Sequence, residues 1–81
     1  MPEVVLYTRA GCHLCEQAAR ALRALGRTQR FKLREVDIES DPALERRFML
    51  EIPVVEVDGA VVTHAPVDLE AVRAALTRAR G

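Results

Sequence analysis

The chain has 81 residues, of which 49% are hydrophobic and 30% are charged, and its twelve basic and twelve acidic residues cancel to a net charge of zero. This composition is typical of one small folded domain and excludes a disordered chain. A neutral chain also offers no general electrostatic reason to bind nucleic acid or an anionic membrane. We therefore expect a single domain over residues 1–81, without nucleic-acid or membrane partners.

The first residues carry no signal for export. Met1 to Glu3 include no basic leader, and the apolar run from Val4 to Tyr7 is too short for a signal-peptide core or a membrane span. This predicts a cytoplasmic protein. In a reducing cytosol, two cysteines three positions apart are poorly suited to a permanent structural disulfide.

The first half of the chain predicts a strand, a helix and a second strand. Residues Glu3–Tyr7 are β-branched and apolar, and apolar residues then recur at helical spacing over His13–Leu25, with Gly26 placed to end that helix. Residues Phe31–Ile38 alternate as a strand does. The alternation slips at Arg34-Glu35, which predicts that the strand starts or bulges there.

The second half predicts a helix, a hairpin and a final helix. Asp41-Pro42 is a strong helix start, because aspartate caps a helix and proline suits its first position. The short strands Pro53–Val57 and Ala60–Thr63 flank Asp58-Gly59, which is a strong hairpin signal. Pro66 is expected to open the last helix.

The resulting element order is β-α-β-α-β-β-α, an α/β arrangement. A helix joins the first two strands, so these should be parallel, whereas the tight turn makes the last two antiparallel. We expect a four-stranded mixed sheet flanked by three helices.

The segment Cys12-His13-Leu14-Cys15 carries the chemistry. Residues three apart at a helix start lie close enough for a disulfide after modest adjustment. Cys12 falls at or beside the helix N-cap, where free N–H groups and the helix dipole favour thiolate and should lower its pKa below about 8.5. Because the thiolate is the attacking species, we predict Cys12 as the nucleophile and the more buried Cys15 as the resolving thiol.

Other interpretations of the pair stay open. His13 is either a charge or proton acceptor beside Cys12, or a solvated residue of the first helical turn. A metal or iron–sulfur module is the main alternative, but a closed structural zinc site needs four ligands and the chain adds only His13 and His64 to its two cysteines. A second copy or added glutathione would have to complete such a site. A third possibility is a redox-regulated interaction domain without turnover.

Two segments together resemble the glutaredoxin family. Residues 7–15 are similar to the family's Tyr-Ser/Thr-Lys strand end leading into Cys-Pro-Tyr-Cys, with Arg9 in place of the lysine, and residues 52–59 are similar to its Val-Pro-x-Val-Phe-Ile-x-Gly segment. The resemblance implies a thioredoxin-like fold and thiol–disulfide exchange. It also implies that Pro53 is cis beside the cysteines, and that the backbone of Ile52 pairs with an extended substrate.

The chain departs from the family where glutathione binds. The resemblance implies a Gly-Gly-x-Asp-Asp segment after the last strand, but here residues 63–68 lack the glycine pair and offer only Asp68 as an acid. Arg9 could still meet the glycyl carboxylate, since arginine forms paired hydrogen bonds with carboxylates. We expect no resident cofactor or metal, a monomer, a protein or small-molecule disulfide as substrate, and a reductase or glutathione as electron donor.

Overall fold

The computed structural model describes residues 1–80 and contains the predicted elements in the predicted order. A single 3₁₀ turn, Ile38–Ser40, precedes the second helix. The strands and helices are β1 Glu3–Thr8, α1 His13–Leu25, β2 Lys32–Asp37, α2 Pro42–Phe48, β3 Val54–Val57, β4 Ala60–His64 and α3 Leu69–Arg80.

The four strands form one mixed sheet in the order β2-β1-β3-β4. β1 pairs parallel with β2 and antiparallel with β3, and β3 pairs antiparallel with β4. The predicted slip at Arg34-Glu35 is wrong, because the β1–β2 register runs without a break from Glu3↔Lys32 to Thr8↔Asp37. The pattern misled because β2 lies at the sheet edge, where charged side chains stay in solvent. The irregularity lies instead at Val55/Glu56 in the β3–β4 pair.

The sheet separates two unequal hydrophobic layers. Alternate residues of a strand face opposite sides, so β1 and β3 contribute to both. One layer packs under α1 and α3 and contains Val4, Leu6, Ala18, Ala19, Leu22, Leu25, Val55, Val57, Val72, Ala75 and Leu76. The other layer packs under the short α2 and contains Val5, Tyr7, Ile38, Phe48 and Val54.

Two helix ends differ from expectation. α3 begins at Leu69 and not at Pro66, because Asp68 supplies the cap: its Oδ1 accepts from the Glu70 N–H at 3.0 Å. α1 ends at Leu25 as predicted, but Gly26 has right-handed backbone angles (φ −63°, ψ −15°) rather than the left-handed ones that favour glycine after a helix.

The topology brings three segments to one end of the sheet, where β1 ends and β3 begins. β1 ends there at Thr8, and the loop after it leads into α1. Tyr7 pairs with Val54, so β3 starts beside the end of β1. The segment before β3, which contains Ile52 and Pro53, therefore lies at the same end of the sheet as the start of α1.

Candidate functional site

Cys12 is the N-cap of α1. Its backbone is extended (φ −91°, ψ 107°), and its Sγ accepts a hydrogen bond from the Cys15 N–H at 3.1 Å. The Cys12 N–H donates to the Arg9 carbonyl at 3.2 Å. Gly11 has φ +79°, a conformation that side chains disfavour. This turn directs the first sulfur at the N–H groups of the helix, which are the partners that stabilise negative charge.

The two cysteines are joined as a disulfide across the first turn of α1, with Cα atoms 5.2 Å apart. This confirms the prediction that the pair lies within disulfide range. Cys12 is partly exposed, whereas Cys15 is buried with 1% of its surface accessible. A sulfur approaching from solvent therefore meets Cys12 first.

Arg9 and His13 both lie in solvent on either side of Cys12. Arg9 is exposed in the loop after β1, and its backbone carbonyl holds the Cys12 N–H. The His13 side chain is 94% exposed, and its Nδ1 lies 3.8 Å from Glu16 Oε1. Neither side chain has a close polar contact with a sulfur, so a role in catalysis stays a prediction for both.

The Ile52–Pro53 peptide bond is cis, as the resemblance implied. Pro53 is buried, and the Ile52 N–H donates to the Phe48 carbonyl at 3.1 Å. Outside the strands, no backbone hydrogen bond to the Ile52 carbonyl is found within residues 1–80. Substrate pairing at Ile52 would therefore use its carbonyl, because its N–H is already bonded.

A groove of about 280 Å³ lies between the start of α1 and the segment before α3. Sequence reasoning missed it, because its residues come from three distant segments and are individually ordinary. Leu14 and Pro53 place the groove against the disulfide turn and against the Ile52-Pro53 segment, where pairing with a substrate is predicted. Its lining residues are Leu14, Gln17, Ala18, Ala21, Pro53, Ala65, Pro66, Val67 and Leu69.

Asp68 does not face this groove as a free acid. Its Oδ1 accepts from the N–H groups of Glu70 and Ala71, at 3.0 and 3.4 Å, at the start of α3. Its own N–H donates to the Thr63 hydroxyl at 3.0 Å. The acid that the sequence offered for glutathione is thus engaged as a helix cap.

Tyr7 lies on the opposite face of the sheet from α1. Its ring stacks on Phe48 with centroids 4.6 Å apart. Burial raises the pKa of Tyr7, and the neighbouring Glu56 carboxylate raises it further, while Arg34 and Arg47 oppose the shift. The folded state therefore favours the neutral form of Tyr7, which belongs to the second hydrophobic layer.

Comparison with known proteins decides the family. The model of the family described as "Glutaredoxin-like domain (DUF836)" matches residues 3–77. The chain belongs to the glutaredoxin-like domain family. An uncharacterized protein of Mycobacterium tuberculosis is 33% identical to this glutaredoxin-like domain over 82 aligned positions, covering 95% of this chain and 84% of the relative.

Solved structures show the fold of this glutaredoxin-like domain. A protein of X. campestris is 37% identical with a TM-score of 0.71, covering 93% of this chain and 96% of its own. A protein of Nitrosomonas europaea is 29% identical with a TM-score of 0.81, covering 90% and 88%. A thioredoxin of Halobacterium salinarum matches at 15% identity with a TM-score of 0.69, covering 95% and 73%. The predicted thioredoxin-like fold is confirmed.

None of the helices within residues 1–80 combines the length and apolar character that crossing a bilayer requires. In the same residues, no three His, Cys, Asp or Glu side chains are grouped to hold a metal ion. Within this described part of one chain, the cysteine pair would supply only two metal ligands.

Proposed function

We propose that this glutaredoxin-like domain is a thiol–disulfide oxidoreductase, with Cys12 as nucleophile and Cys15 as resolving thiol. The observation that carries the proposal is the disulfide at the N-terminus of α1, with one sulfur partly exposed and the other buried one turn behind it. The pair closes across a single helical turn. It can therefore be made and broken without unfolding the rest of the domain.

In the first step, the Cys12 thiolate attacks one sulfur of a substrate disulfide. A Cys12–substrate disulfide forms, the substrate S–S bond breaks, and the second substrate sulfur leaves as a thiolate. The Cys15 N–H, 3.1 Å from Cys12 Sγ, and the unpaired N–H groups of the first turn of α1 favour the charged nucleophile before attack.

In the second step, Cys15 loses its proton and attacks Cys12 Sγ. The Cys12–Cys15 disulfide forms, and the remaining substrate sulfur leaves as a thiolate that takes up a proton. Cys15 borders a small cavity of about 170 Å³ that Glu16 and Glu35 also line, and we propose that the proton of the buried thiol leaves on that side. The substrate has gained two electrons, and the structure described above is the oxidised product.

An external two-electron donor must then reduce Cys12–Cys15, either a flavoprotein-type reductase or two molecules of glutathione. From this chain both steps use only the two cysteine sulfurs and their protons, so the proposed reaction needs no resident cofactor or metal. We place the activity in the cytoplasm, where reducing conditions return the dithiol to its active form between turnovers. We propose that a monomer suffices, since both sulfurs come from one turn of one helix.

The test traps the mixed disulfide between the two steps. In Cys15→Ser the first step proceeds and the second cannot, so a Cys12–substrate adduct should accumulate and be seen as added mass under non-reducing conditions. The double variant with Cys12→Ser and Cys15→Ser is the control and should form no adduct. Absence of any adduct in Cys15→Ser, with substrate disulfide present in excess, would contradict the proposal.

A coupled NADPH assay identifies the donor. Wild-type protein and an insulin-type disulfide are supplied either with glutathione and its reductase or with thioredoxin reductase. Turnover with one donor alone assigns the domain to that system. If NADPH oxidation stays at the protein-free rate with both donor systems, the result would count against turnover and favour a redox-regulated binding module.

A further inference from the structure

The groove beside the disulfide turn carries no charge. Eight of its nine lining residues have apolar side chains, and Gln17 supplies the one polar side chain. Arginine and glutamate are abundant elsewhere in the chain, yet none of them lines this cavity. A neutral apolar cavity disfavours charged groups, because burying a charge without a partner costs free energy.

The groove borders the disulfide turn. Leu14 stands between the two cysteines in the chain and forms one wall, while Pro53 forms part of another. Neither cysteine is among the lining residues. A substrate joined to Cys12 would therefore have an apolar wall, beginning at Leu14, two residues along the chain from the reacting sulfur.

Large apolar side chains are exposed on one wall of the groove and in the turn between α2 and β3. Leu14 is 56% exposed, and in the turn between α2 and β3 Met49 is 46% exposed and Leu50 is 92% exposed. That turn is linked to the Ile52-Pro53 segment, since the Ile52 N–H donates a hydrogen bond to the Phe48 carbonyl. Exposed large apolar side chains gathered around a site are typical of surfaces that contact another polypeptide.

We propose that the groove binds the apolar residues next to the cysteine of an extended polypeptide, and that the domain discriminates against glutathione. This inference rests on the proposed function. A peptide backbone is neutral, so apolar side chains beside the cysteine match the lining. Glutathione brings two carboxylates and an ammonium group to a cavity whose lining offers them no charged partner.

The first experiment compares three tripeptide disulfides of similar size with one much smaller disulfide. The substrates are oxidised glutathione, the symmetric disulfide of the blocked tripeptide acetyl-Leu-Cys-Val-amide, its acetyl-Glu-Cys-Glu-amide counterpart, and the small neutral hydroxyethyl disulfide. We expect kcat/KM for the apolar tripeptide to exceed that for oxidised glutathione and for the acidic tripeptide by about tenfold or more. Equal or better use of oxidised glutathione would overturn the inference.

The second experiment places a charge in the groove. Gln17→Lys should raise kcat/KM for oxidised glutathione roughly two- to fivefold, the range expected of a partly exposed ion pair, and should not raise it for the apolar tripeptide. The control is Ala24→Lys, which adds the same charge at an exposed position of α1 away from the groove. An equal gain in both lysine variants would overturn the role of the groove.

The neutral substrate separates this inference from the proposed function. If hydroxyethyl disulfide is reduced while oxidised glutathione is preferred over the apolar tripeptide, the oxidoreductase activity stands and the specificity inference fails. If none of the four disulfides is reduced with either electron donor, the proposed function itself fails and takes the inference with it.

Discussion

At the N-termini of both α1 and α3, a side chain accepts a hydrogen bond from a backbone N–H group, but the two capping residues differ in chemistry. At α1 the Sγ of Cys12 accepts from the Cys15 N–H at 3.1 Å, and at α3 the Oδ1 of Asp68 accepts from the Glu70 N–H at 3.0 Å. Both caps satisfy a backbone donor that a helix start leaves free. The hydrogen bond is alike, so the difference in chemistry lies in the capping atom and in what stands behind it.

A second group behind the cap distinguishes the two helix starts. Three residues after Cys12 stands Cys15, buried and bonded to it, whereas three residues after Asp68 stands Ala71, which has no reactive group. A helix start can stabilise a negative charge at either place. Only at α1 can that charge be a nucleophile whose product is resolved within the chain.

Replacing each capping residue with serine should produce the largest difference in activity between the two helix starts. Cys12→Ser and Asp68→Ser each leave a hydroxyl that caps a helix well, so neither should cost much stability relative to the reduced wild type, which also lacks the Cys12–Cys15 bond. Cys12→Ser should lower disulfide reduction by about 10³-fold or more, as loss of a covalent nucleophile does. Asp68→Ser should retain activity. Initial rates with hydroxyethyl disulfide and melting temperatures check both statements.

Three results would contradict these expectations. If Cys12→Ser turned over at a rate near that of the wild type, the sulfur at the α1 cap would have no catalytic role. If Asp68→Ser lost activity together with a large fall in melting temperature, the two caps would be coupled through the fold. A loss of activity at Asp68 without loss of stability would show that its carboxylate has a chemical role.

Local signals in the sequence predicted the position of the cysteine pair at the start of α1 well. The spacing of Cys12 and Cys15, the break at Gly11 and the helical periodicity after it all lie within a few residues, and the structure brings them together as expected. The Asp58-Gly59 hairpin is confirmed for the same reason, since its turn chemistry is local. Elements whose cause lies in adjacent residues were predictable.

Features that depend on competing or distant residues were not. Pro66 predicts the start of the last helix, but the hydrogen bonds of the Asp68 carboxylate show that Asp68 caps α3, which begins at Leu69. The apolar groove combines residues from α1, from Pro53 and from the segment before α3, so no stretch of sequence displays it. The alternation of β2 failed at Arg34 because an edge strand does not need to bury every second residue.

Moving the thiol from one cap to the other sharpens the comparison. In a background with both cysteines replaced by serine, Asp68→Cys places a lone thiol at the start of α3. If the helix start is the cause, the pKa of this thiol and that of Cys12 in Cys15→Ser should both lie below the ordinary value of about 8.5. The rate of alkylation by iodoacetamide against pH measures both, because only the thiolate reacts.

The transplanted thiol should nevertheless support no dithiol turnover, because no second sulfur stands one turn behind it. The matched control is a cysteine at the exposed position Ala24 in the same background, in the last turn of α1 and away from any helix start. Its thiol should titrate at or above the ordinary value, because the C-terminal end of a helix disfavours negative charge. Three indistinguishable alkylation profiles would show that the helix start does not favour the thiolate, and the geometric argument for Cys12 would fail.

The smallest expected effect concerns Tyr7, whose ionisation must be kept apart from that of the cysteine. Because burial and Glu56 raise the pKa of Tyr7 above its ordinary value of about 10, the folded state favours neutral tyrosine. The stabilisation from this shift is fully present below the pKa of the unfolded chain, and it is lost as pH rises through the higher pKa of the folded state. Tyr7→Phe keeps the ring that stacks on Phe48 and removes the ionisation.

Chemical unfolding of oxidised wild type and oxidised Tyr7→Phe at a series of pH values checks this statement. The wild type should lose stability more steeply than the variant above about pH 10, with the two curves parallel at lower pH. The alkylation profile of Cys12, measured in Cys15→Ser with and without Tyr7→Phe, should not change, because Tyr7 faces the layer under α2 whereas Cys12 caps the helix on the other side of the sheet. A shift of the Cys12 profile on loss of the tyrosine hydroxyl would mean that charge is communicated through the sheet, and that the capping hydrogen bond alone does not set the thiolate.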